Sequence, residues 1–286
     1  MTPPNAKDAA RRLLILLAVK SHAVRLMMIW DFIFQTRAAM RNLTGQRPTW
    51  HSTGYEWDWL RLRARWRWLW ERRAIRGVLR SVDLFAHLTA GEQEFFRLGL
   101  SQASRDKACE FLWQIEGAAC IGWALRLLPR LWPMDEQFDG KLDAAALGAP
   151  ERRLIETATL RPLEDVEAAR ERVKLWHWRA RQFVLERQGC EWPPPNATPE
   201  EVADLKSKGL DTLDGLVRAN TRRLREDGML DETIDDDFVA KGKAYRHLTE
   251  DEASDLLGIA TERHKALNWL CGLAQNNQWD AVPMET

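Results

Sequence analysis

Apolar residues recur at three- and four-residue steps along most of the chain, which is the spacing of one face of an α-helix. The pattern is clearest over residues 9–42, 104–128, 162–189 and 249–272. No unit recurs at a fixed period, and no strand–helix–strand alternation is visible. The pattern therefore predicts an all-α fold, a compact multi-helix bundle-like domain with little or no β-structure.

Several helix ends can be placed from capping residues. Thr89 followed by Glu92, and Thr249 followed by Glu252, each form a capping box, in which side chains satisfy free backbone N–H groups at the start of a helix. Pro199, after Thr198, stands at the first position of another helix. Glycine, proline and hydroxyl residues predict loops over 44–54 and 132–150.

The segment "LRLRARWRWLWERR" (60–73) has two interpretations. As a strand, its leucines and tryptophans face one way and its arginines the other, with a period of two. As a helix, Leu62, Trp66 and Leu69 share one face, and the arginine stems cover the flanks. Arginine, leucine and alanine are strong helix formers, and no turn separates this segment from the helical sequence after it. The segment is predicted to be a helix, with the strand over 60–70 as the alternative.

Formal charge is zero overall but unevenly distributed. Residues 1–80 hold 16 Lys/Arg and five Asp/Glu, a net charge of +11, and residues 81–286 carry −11. Because a polyanion binder is usually net basic, we expect the basic part to dock on the acidic remainder of the chain. Arg61, Arg63, Arg65 and Arg67 are expected to pair with later acids, with residues 231–237 as candidate partners. Fifteen tryptophans against two tyrosines make the chain tryptophan-rich, and Trp66 and Trp70 are expected to be core anchors.

Composition also bears on the compartment. The four cysteines form no C-x-x-C pair and fit no zinc motif, which favours a reducing cytoplasm over a disulfide scaffold. "LLILLAV" (13–19) resembles the apolar part of a secretion signal, but Lys20 interrupts it and no cleavage site follows. The sequence predicts a buried helix, no membrane span and a cytoplasmic protein.

Polar residues on apolar helical faces are the candidates for chemistry, since none of the common catalytic motifs is present. Glu116 lies among apolar neighbours, and an ionised carboxylate there needs a cation. His177 and Arg181 share a helix face. A direct Glu116–Arg181 contact is expected, with His177 in the same network. The alternative use of Glu116 is as a catalytic or ligand-binding acid.

The segment "ERHKALNWL" (262–270) is the richest polar cluster. His264 and Asn268 stand four residues apart, but asparagine is a poor zinc ligand, so neither a metal nor a cofactor is expected. A buried polar network, or a pocket lined by tryptophan, is the expected use of these residues. Trp269 is expected to be buried, and Trp279 to fold back on the body. The full candidate set is Trp113, Glu116, Trp123, His177, Trp178, Arg181, Glu262, Arg263, His264, Asn268 and Trp269.

The blocks "WQIEGAACIGWAL", "LWPMDEQFD", "LWHWRARQ" and "ERHKALNWLCG…WDAVPMET" resemble a bacterial family, the domain of unknown function numbered 4272. The resemblance covers about residues 76–286 and carries no activity over to this chain. It implies two parts, a basic, tryptophan-rich helical extension over 1–75 packed on a helical domain over 76–286. On this resemblance the family's recurring positions are Trp113, Glu116, Gly117, Trp123, His177, Trp178, Arg181, Glu262, Arg263, His264, Ala266, Leu267, Asn268, Trp269, Trp279 and Asp280.

Three functions follow as expectations. The favoured one is a cytoplasmic helical binding or regulatory protein acting through a protein partner, in an immunity-like or stress-related role. The second is an enzyme of unknown chemistry with a tryptophan-lined pocket that holds Glu116, His177 and Glu262. The third is a nucleic-acid binder that uses residues 61–80, although nucleic acid is not the expected partner.

Overall fold

Helices dominate the structure, a computed structural model that describes residues 2–44, 55–100, 102–139, 142 and 151–285. The predicted all-α class is confirmed, and the long helices lie close to their predicted ranges. Residues 45–54 of the first predicted loop lie outside the described residues. In the second predicted loop, the same is true of residues 140–150 except for residue 142. The helices in the described ranges are α1 (Ala6–Thr44), α2 (Tyr55–Ser81), α3 (Ala90–Arg97), α4 (Arg105–Ala124), α5 (Glu151–Thr157), α6 (Leu163–Arg187), α7 (Pro199–Ser207), α8 (Leu213–Glu226) and α9 (Glu250–Leu270).

The interior has two apolar clusters that share α6 and α9. The larger cluster is built from α1, α2, α3 and α4, together with the start of α6 and the end of α9. The smaller cluster joins the second half of α6 to α8, a small sheet and the first half of α9. The most extensive packing is between α1 and α4, and α4 in turn packs on α9. The helix pair α4–α9 therefore lies between the N-terminal helices and the rest of the chain.

Two glycines let α4 and α9 approach closely. A Cβ atom added at Gly117 of α4 would lie 3.2 Å from the carbonyl oxygen of Glu262 on α9. A Cβ atom added at Gly258 of α9 would lie 3.3 Å from the Trp113 ring on α4. The close crossing places polar side chains of α4 opposite those of α9, which creates the central ion pair described below.

A three-stranded antiparallel sheet interrupts the helical pattern. Its strands are β1 (Thr233–Ile234), β2 (Asp237–Ala240) and β3 (Lys243–Ala244), in the order β1-β2-β3. Asp235 and Asp236 join β1 to β2 with φ of 53° and 57°, so both central residues have positive φ, as a tight hairpin turn requires. The acidic run 231–237 is thus largely a hairpin.

The helix starts predicted from capping residues are confirmed. Thr89 and Thr249 each accept a hydrogen bond from the backbone N–H three residues on, and the Glu at that position bonds back to the cap. Thr198 forms a third capping box with Glu201, and Pro199 stands at the first helical position. Each box satisfies two N–H groups that the helix itself leaves free.

Helix α1 is continuous where the sequence suggested an interrupted apolar segment. Over Ala6–Gln35 it is long and apolar enough to cross a membrane by length and composition, with a mean hydropathy of 1.7 in its most apolar window. In that window 56% of the residues are buried inside the protein. Core helices of soluble proteins pass the same test, and α1 packs extensively on α4.

Candidate functional site

A buried ion pair between α4 and α9 lies at the centre of the candidate residues. Nε and Nη2 of Arg263 donate to Oε2 of Glu116 at 2.9 and 2.7 Å. The second carboxylate oxygen accepts from the backbone N–H of Phe138 at 2.7 Å. Glu116 is 0% exposed and Arg263 is 1% exposed. Both charges are therefore fully desolvated and satisfied by each other and by backbone groups.

Arg263 also holds the segment 132–138 against the body. Its Nη1 donates to the carbonyl oxygens of Trp132 and Pro133 at 3.0 and 2.8 Å, and its Nη2 to that of Glu136 at 2.9 Å. One guanidinium thus serves a carboxylate and three backbone acceptors of a segment without helix or strand. Every donor on the two terminal nitrogens makes a hydrogen bond within the protein. Arg263 therefore acts as a structural staple, which fixes segment 132–138 to α4 and α9.

The predicted contact between Glu116 and Arg181 is wrong. Arg181 is an exposed residue of α6, and the cation beside Glu116 is Arg263. The physical reason is helix register. The buried stripe of α6 runs through Val173, His177 and Ala180, which turns the next residue toward solvent.

His177 belongs to a separate pair. Its Nδ1 lies 2.9 Å from Nδ1 of His264 on α9, and the two rings meet edge to face with centroids 5.1 Å apart. Nε2 of His177 lies 3.4 Å from Oγ1 of Thr261. Burial, with the charge of Arg181, lowers the pKa of His177 to about 4, and burial, with the neighbouring ring, lowers that of His264 to about 4. Both rings are therefore neutral at pH 7, and one donates while the other accepts.

The histidine pair predicts that the protein loses stability in mild acid. Each ring titrates near pH 6.5 when unfolded and near 4 when folded, so the unfolded chain binds more protons in that interval. The stabilisation is complete above about pH 6.5 and is lost as the pH falls toward 4. We expect a loss on the order of 2 kcal/mol per ring between about pH 7.5 and 5.

Urea unfolding at the two pH values measures this loss, with the double variant His177→Gln and His264→Gln as the comparison. His22, whose pKa burial lowers to about 3, adds the same trend to both proteins. A wild-type loss no larger than that of the variant would contradict a neutral buried pair.

Glu262 and the tail form a third group. Burial raises the pKa of Glu262, and its Oε2 is buried without a hydrogen-bond partner. Trp279 lies under the guanidinium of Arg12 at 4.5 Å and Nζ of Lys265 at 5.0 Å, and its ring centroid is 5.8 Å from that of Trp269. The predicted burial of both tryptophans is confirmed, since each is 4% exposed. The tail therefore folds back on the body.

The remaining candidates also make structural contacts. Nδ2 of Asn268 donates to the carbonyl of Pro283 at 2.8 Å, which fixes the tail. The Trp123 ring lies 5.0 Å from the guanidinium of Arg161. Trp178 is half-buried, with its ring near Phe238. In the described part of the chain, no group of three or more His, Cys, Asp and Glu side chains is arranged to hold a metal ion.

A cavity beside the C-terminal tail does not gather the proposed catalytic residues. It has a volume of about 650 Å³ and lies beside Arg12, Thr89, Trp269 and Trp279. Glu116, His177 and Glu262 are not in its lining, because the first is bound to Arg263 and the second to His264. The cavity is lined by tryptophan, as the expected pocket was, but none of these three side chains lines it.

Two of the buried ion pairs in the described residues were not predicted from the sequence. Arg179 donates to Asp237 from Nε at 2.6 Å and from Nη2 at 2.9 Å, and both residues are 0% exposed. Burial alone would raise the pKa of Asp237, but the hydrogen bonds and charge of Arg179 outweigh it and lower the pKa. Arg12 of α1 pairs with buried Glu92 of α3. The capping box marked Glu92, but nothing in the sequence indicated its distant partner.

Asp236 and Asp237 of the acidic run 231–237 pair with arginines close to them in the fold. Arg179 and Arg246 bind Asp237, and Arg222 binds Asp236 at 2.7 Å. Arg67 of α2 pairs with Glu71 of its own helix at 3.0 Å. The prediction that this run is the partner of the α2 arginines is therefore wrong for Asp236, Asp237 and Arg67.

The segment 60–73 lies within helix α2, which confirms the helical interpretation and rejects the strand. Trp68 is the core anchor of the helix. It is 1% exposed, stacks on His22 with ring centroids 4.4 Å apart, and donates from Nε1 to the carbonyl of Leu98. The expectation that Trp66 and Trp70 are core anchors is wrong, because they are 66% and 75% exposed.

Helix α2 thus has apolar residues on two opposite sides. Its inner stripe, Ala64, Trp68, Ile75 and Leu79, is buried in the core. A second set, which we call the outer stripe, is exposed and consists of Leu62, Trp66, Leu69 and Trp70. At 100° per residue the outer stripe lies on the side of the helix away from the inner one.

Fold and site together define a mostly helical protein in which the central charged side chains form buried ion pairs and two tryptophans of α2 are exposed. The model of the family described as Domain of unknown function (DUF4272) matches residues 59–192 of this protein, which confirms the family that the sequence resembles. The match begins at α2 and so includes the outer stripe, which the sequence comparison had placed before the family's segment. The block at 262–270 lies beyond the matched span. No curated protein and no solved structure matches the chain.

Proposed function

We propose that this protein is a cytoplasmic binding or regulatory protein, and that its partner docks on the outer stripe of α2. The observation that carries the proposal is the exposure of Trp66 and Trp70 beside Leu62 and Leu69. Exposed apolar groups of this size are costly to leave in water, and a contiguous patch of them is characteristic of an interaction site. Tryptophan and arginine are also the residues that contribute most binding energy in interfaces.

The buried polar groups support binding over catalysis. A general base or nucleophile has to reach a substrate, whereas both oxygens of Glu116 are occupied by Arg263 and Phe138. The two histidines face each other across α6 and α9. We infer that these residues hold the helices in register so that α2 presents a rigid surface.

Photo-crosslinking in living cells tests the proposal without assuming the chemistry of the partner. A benzophenone amino acid placed at Trp66 is expected to give defined adducts, with protein or with lipid, in the native host. The matched control is the same group at Val202 on α7, which is also an exposed apolar residue of a helix. Adducts at both positions alike, or at neither, would contradict a partner on the outer stripe.

A further inference from the structure

We propose that the partner of the outer stripe is the surface of an anionic phospholipid membrane, on which α2 lies in the plane of the headgroups. This inference rests on the proposed function, since it names what the outer stripe binds. An interfacial helix needs one apolar face with tryptophan and leucine, flanked by cationic side chains that meet the lipid phosphates.

The arrangement of α2 meets the first requirement. Leu62, Trp66 and Trp70 follow one another at four-residue steps and Leu69 follows Trp66 by three, so their side chains share one side of the helix. The opposite side is already anchored through Trp68, which fixes the rotation of α2 about its axis. Tryptophan is the side chain most suited to the boundary between hydrocarbon and headgroups, because its ring is apolar and its N–H is polar.

The charges around the stripe meet the second requirement. Residues 62–80 contain seven arginines and a single acid, Glu71. Glu71 is only 16% exposed and lies against Arg25 and Arg67, so its charge is directed at these two arginines and the segment stays strongly basic. Burial, and after it the charges of the neighbouring arginines, lowers the pKa of Arg76. Exposed Arg65 and Arg67 flank the stripe on either side, and exposed Arg73, four residues after Leu69, lies in line with it.

The neighbouring helix adds further apolar surface. Met28 and Phe34 of α1 are 56% and 73% exposed and lie within the segment of α1 that is apolar enough to enter a membrane. Helices α1 and α2 pack on each other, and His22 of α1 stacks on Trp68. Exposed apolar residues are thus present on both helices of the pair.

Charge complementarity favours a lipid surface over other occupants. A second copy of the chain would bring the same arginines together, and like charges across an interface are costly. A nucleic acid would use the arginines and stack on the tryptophans but gains nothing from Leu62 and Leu69. An anionic leaflet provides uniform negative charge and an apolar layer beneath it.

Co-sedimentation of the full chain with vesicles tests the proposal. Vesicles of phosphatidylglycerol and phosphatidylcholine are compared with vesicles of phosphatidylcholine alone, at low and high salt. We expect pelleting with the anionic vesicles that weakens as salt rises. The variant Trp66→Ala with Trp70→Ala should reduce partitioning by about tenfold or more, the scale of losing two large apolar contacts. Arg65→Gln with Arg73→Gln should weaken binding to anionic vesicles and remove part of its salt dependence.

The matched control is Leu163→Ala with Val202→Ala, which shortens two exposed apolar side chains on α6 and α7. It should pellet like the wild type. The lipid proposal is overturned by absence of pelleting, by equal pelleting with neutral vesicles, or by an equal loss in the control. Binding of single-stranded DNA without vesicle binding also overturns it and assigns the arginines to nucleic acid. If vesicle binding is absent but protein adducts form at Trp66 in cells, the outer stripe is a protein-binding surface and only the lipid proposal is wrong. If no adducts form either, the proposal that the outer stripe is a binding surface is wrong as well.

Discussion

Replacing Arg263 by methionine is expected to lower the free energy of unfolding by about 3–5 kcal/mol, the scale for breaking a buried ion pair. The substitution leaves the Glu116 carboxylate buried with only the Phe138 N–H as partner. It also frees the carbonyls of Trp132, Pro133 and Glu136. Urea unfolding followed by circular dichroism measures the change.

Arg181→Met provides the matched control, because the sequence had pointed to Arg181 as the partner of Glu116. Arg181 is exposed, and a surface ion pair contributes only about 0–1 kcal/mol. If Arg181→Met costs as much as Arg263→Met, the carboxylate depends on both arginines and the assignment of a single staple is wrong.

The second large effect is expected at Trp68, where alanine should cost about 3–5 kcal/mol, as for other large aromatics removed from a core. The ring is 1% exposed, and its loss leaves His22, which is itself fully buried, facing a cavity. A loss of 1 kcal/mol lowers the melting temperature of a chain of this size by about 2–4 °C, so the melting temperature should fall by roughly 10 °C. A drop of only a degree or two would mean that α2 is not anchored through this residue.

Local features of the fold could be predicted from the sequence because they depend on neighbouring residues. The capping boxes at Thr89 and Thr249 involve side chains three residues apart, and helix periodicity is set by the segment itself. The hairpin around Asp235 and Asp236 was not predicted, because its two aspartates with positive φ carry no glycine to mark the turn.

Partners across the fold could not be predicted, because they depend on how separate helices meet. Glu116 was correctly expected to bind a cation in the interior, yet Arg263 lies 147 positions away and was one of several arginines on helical faces. Arg263 is the partner because α4 and α9 approach each other closely at Gly117. The periodicity of each helix carries no information about the distance between the two helices. The same holds for Arg12 with Glu92 and Arg179 with Asp237.

Periodicity also failed to distinguish the two apolar sides of α2. The four-residue spacing of Trp66 and Trp70 gives one apolar side, which was expected to be the core side, and Ala64, Trp68, Ile75 and Leu79 give another. Spacing alone does not indicate which of the two sides is buried. The structure buries Trp68 because His22 of α1 provides a stacking surface and the carbonyl of Leu98, at the end of α3, provides an acceptor. The helix is ordinary in geometry, and its unusual feature is the second apolar side left exposed.

The most direct test of the central claim, that the outer stripe is a binding surface and not part of the core, is the melting temperature of the Trp66→Ala, Trp70→Ala double variant measured beside Trp68→Ala. The two outer rings are 66% and 75% exposed, so their removal should leave the melting temperature within about 2 °C of the wild type. A fall as large as that caused by Trp68→Ala would contradict the account, because it would show that the outer tryptophans stabilise the fold.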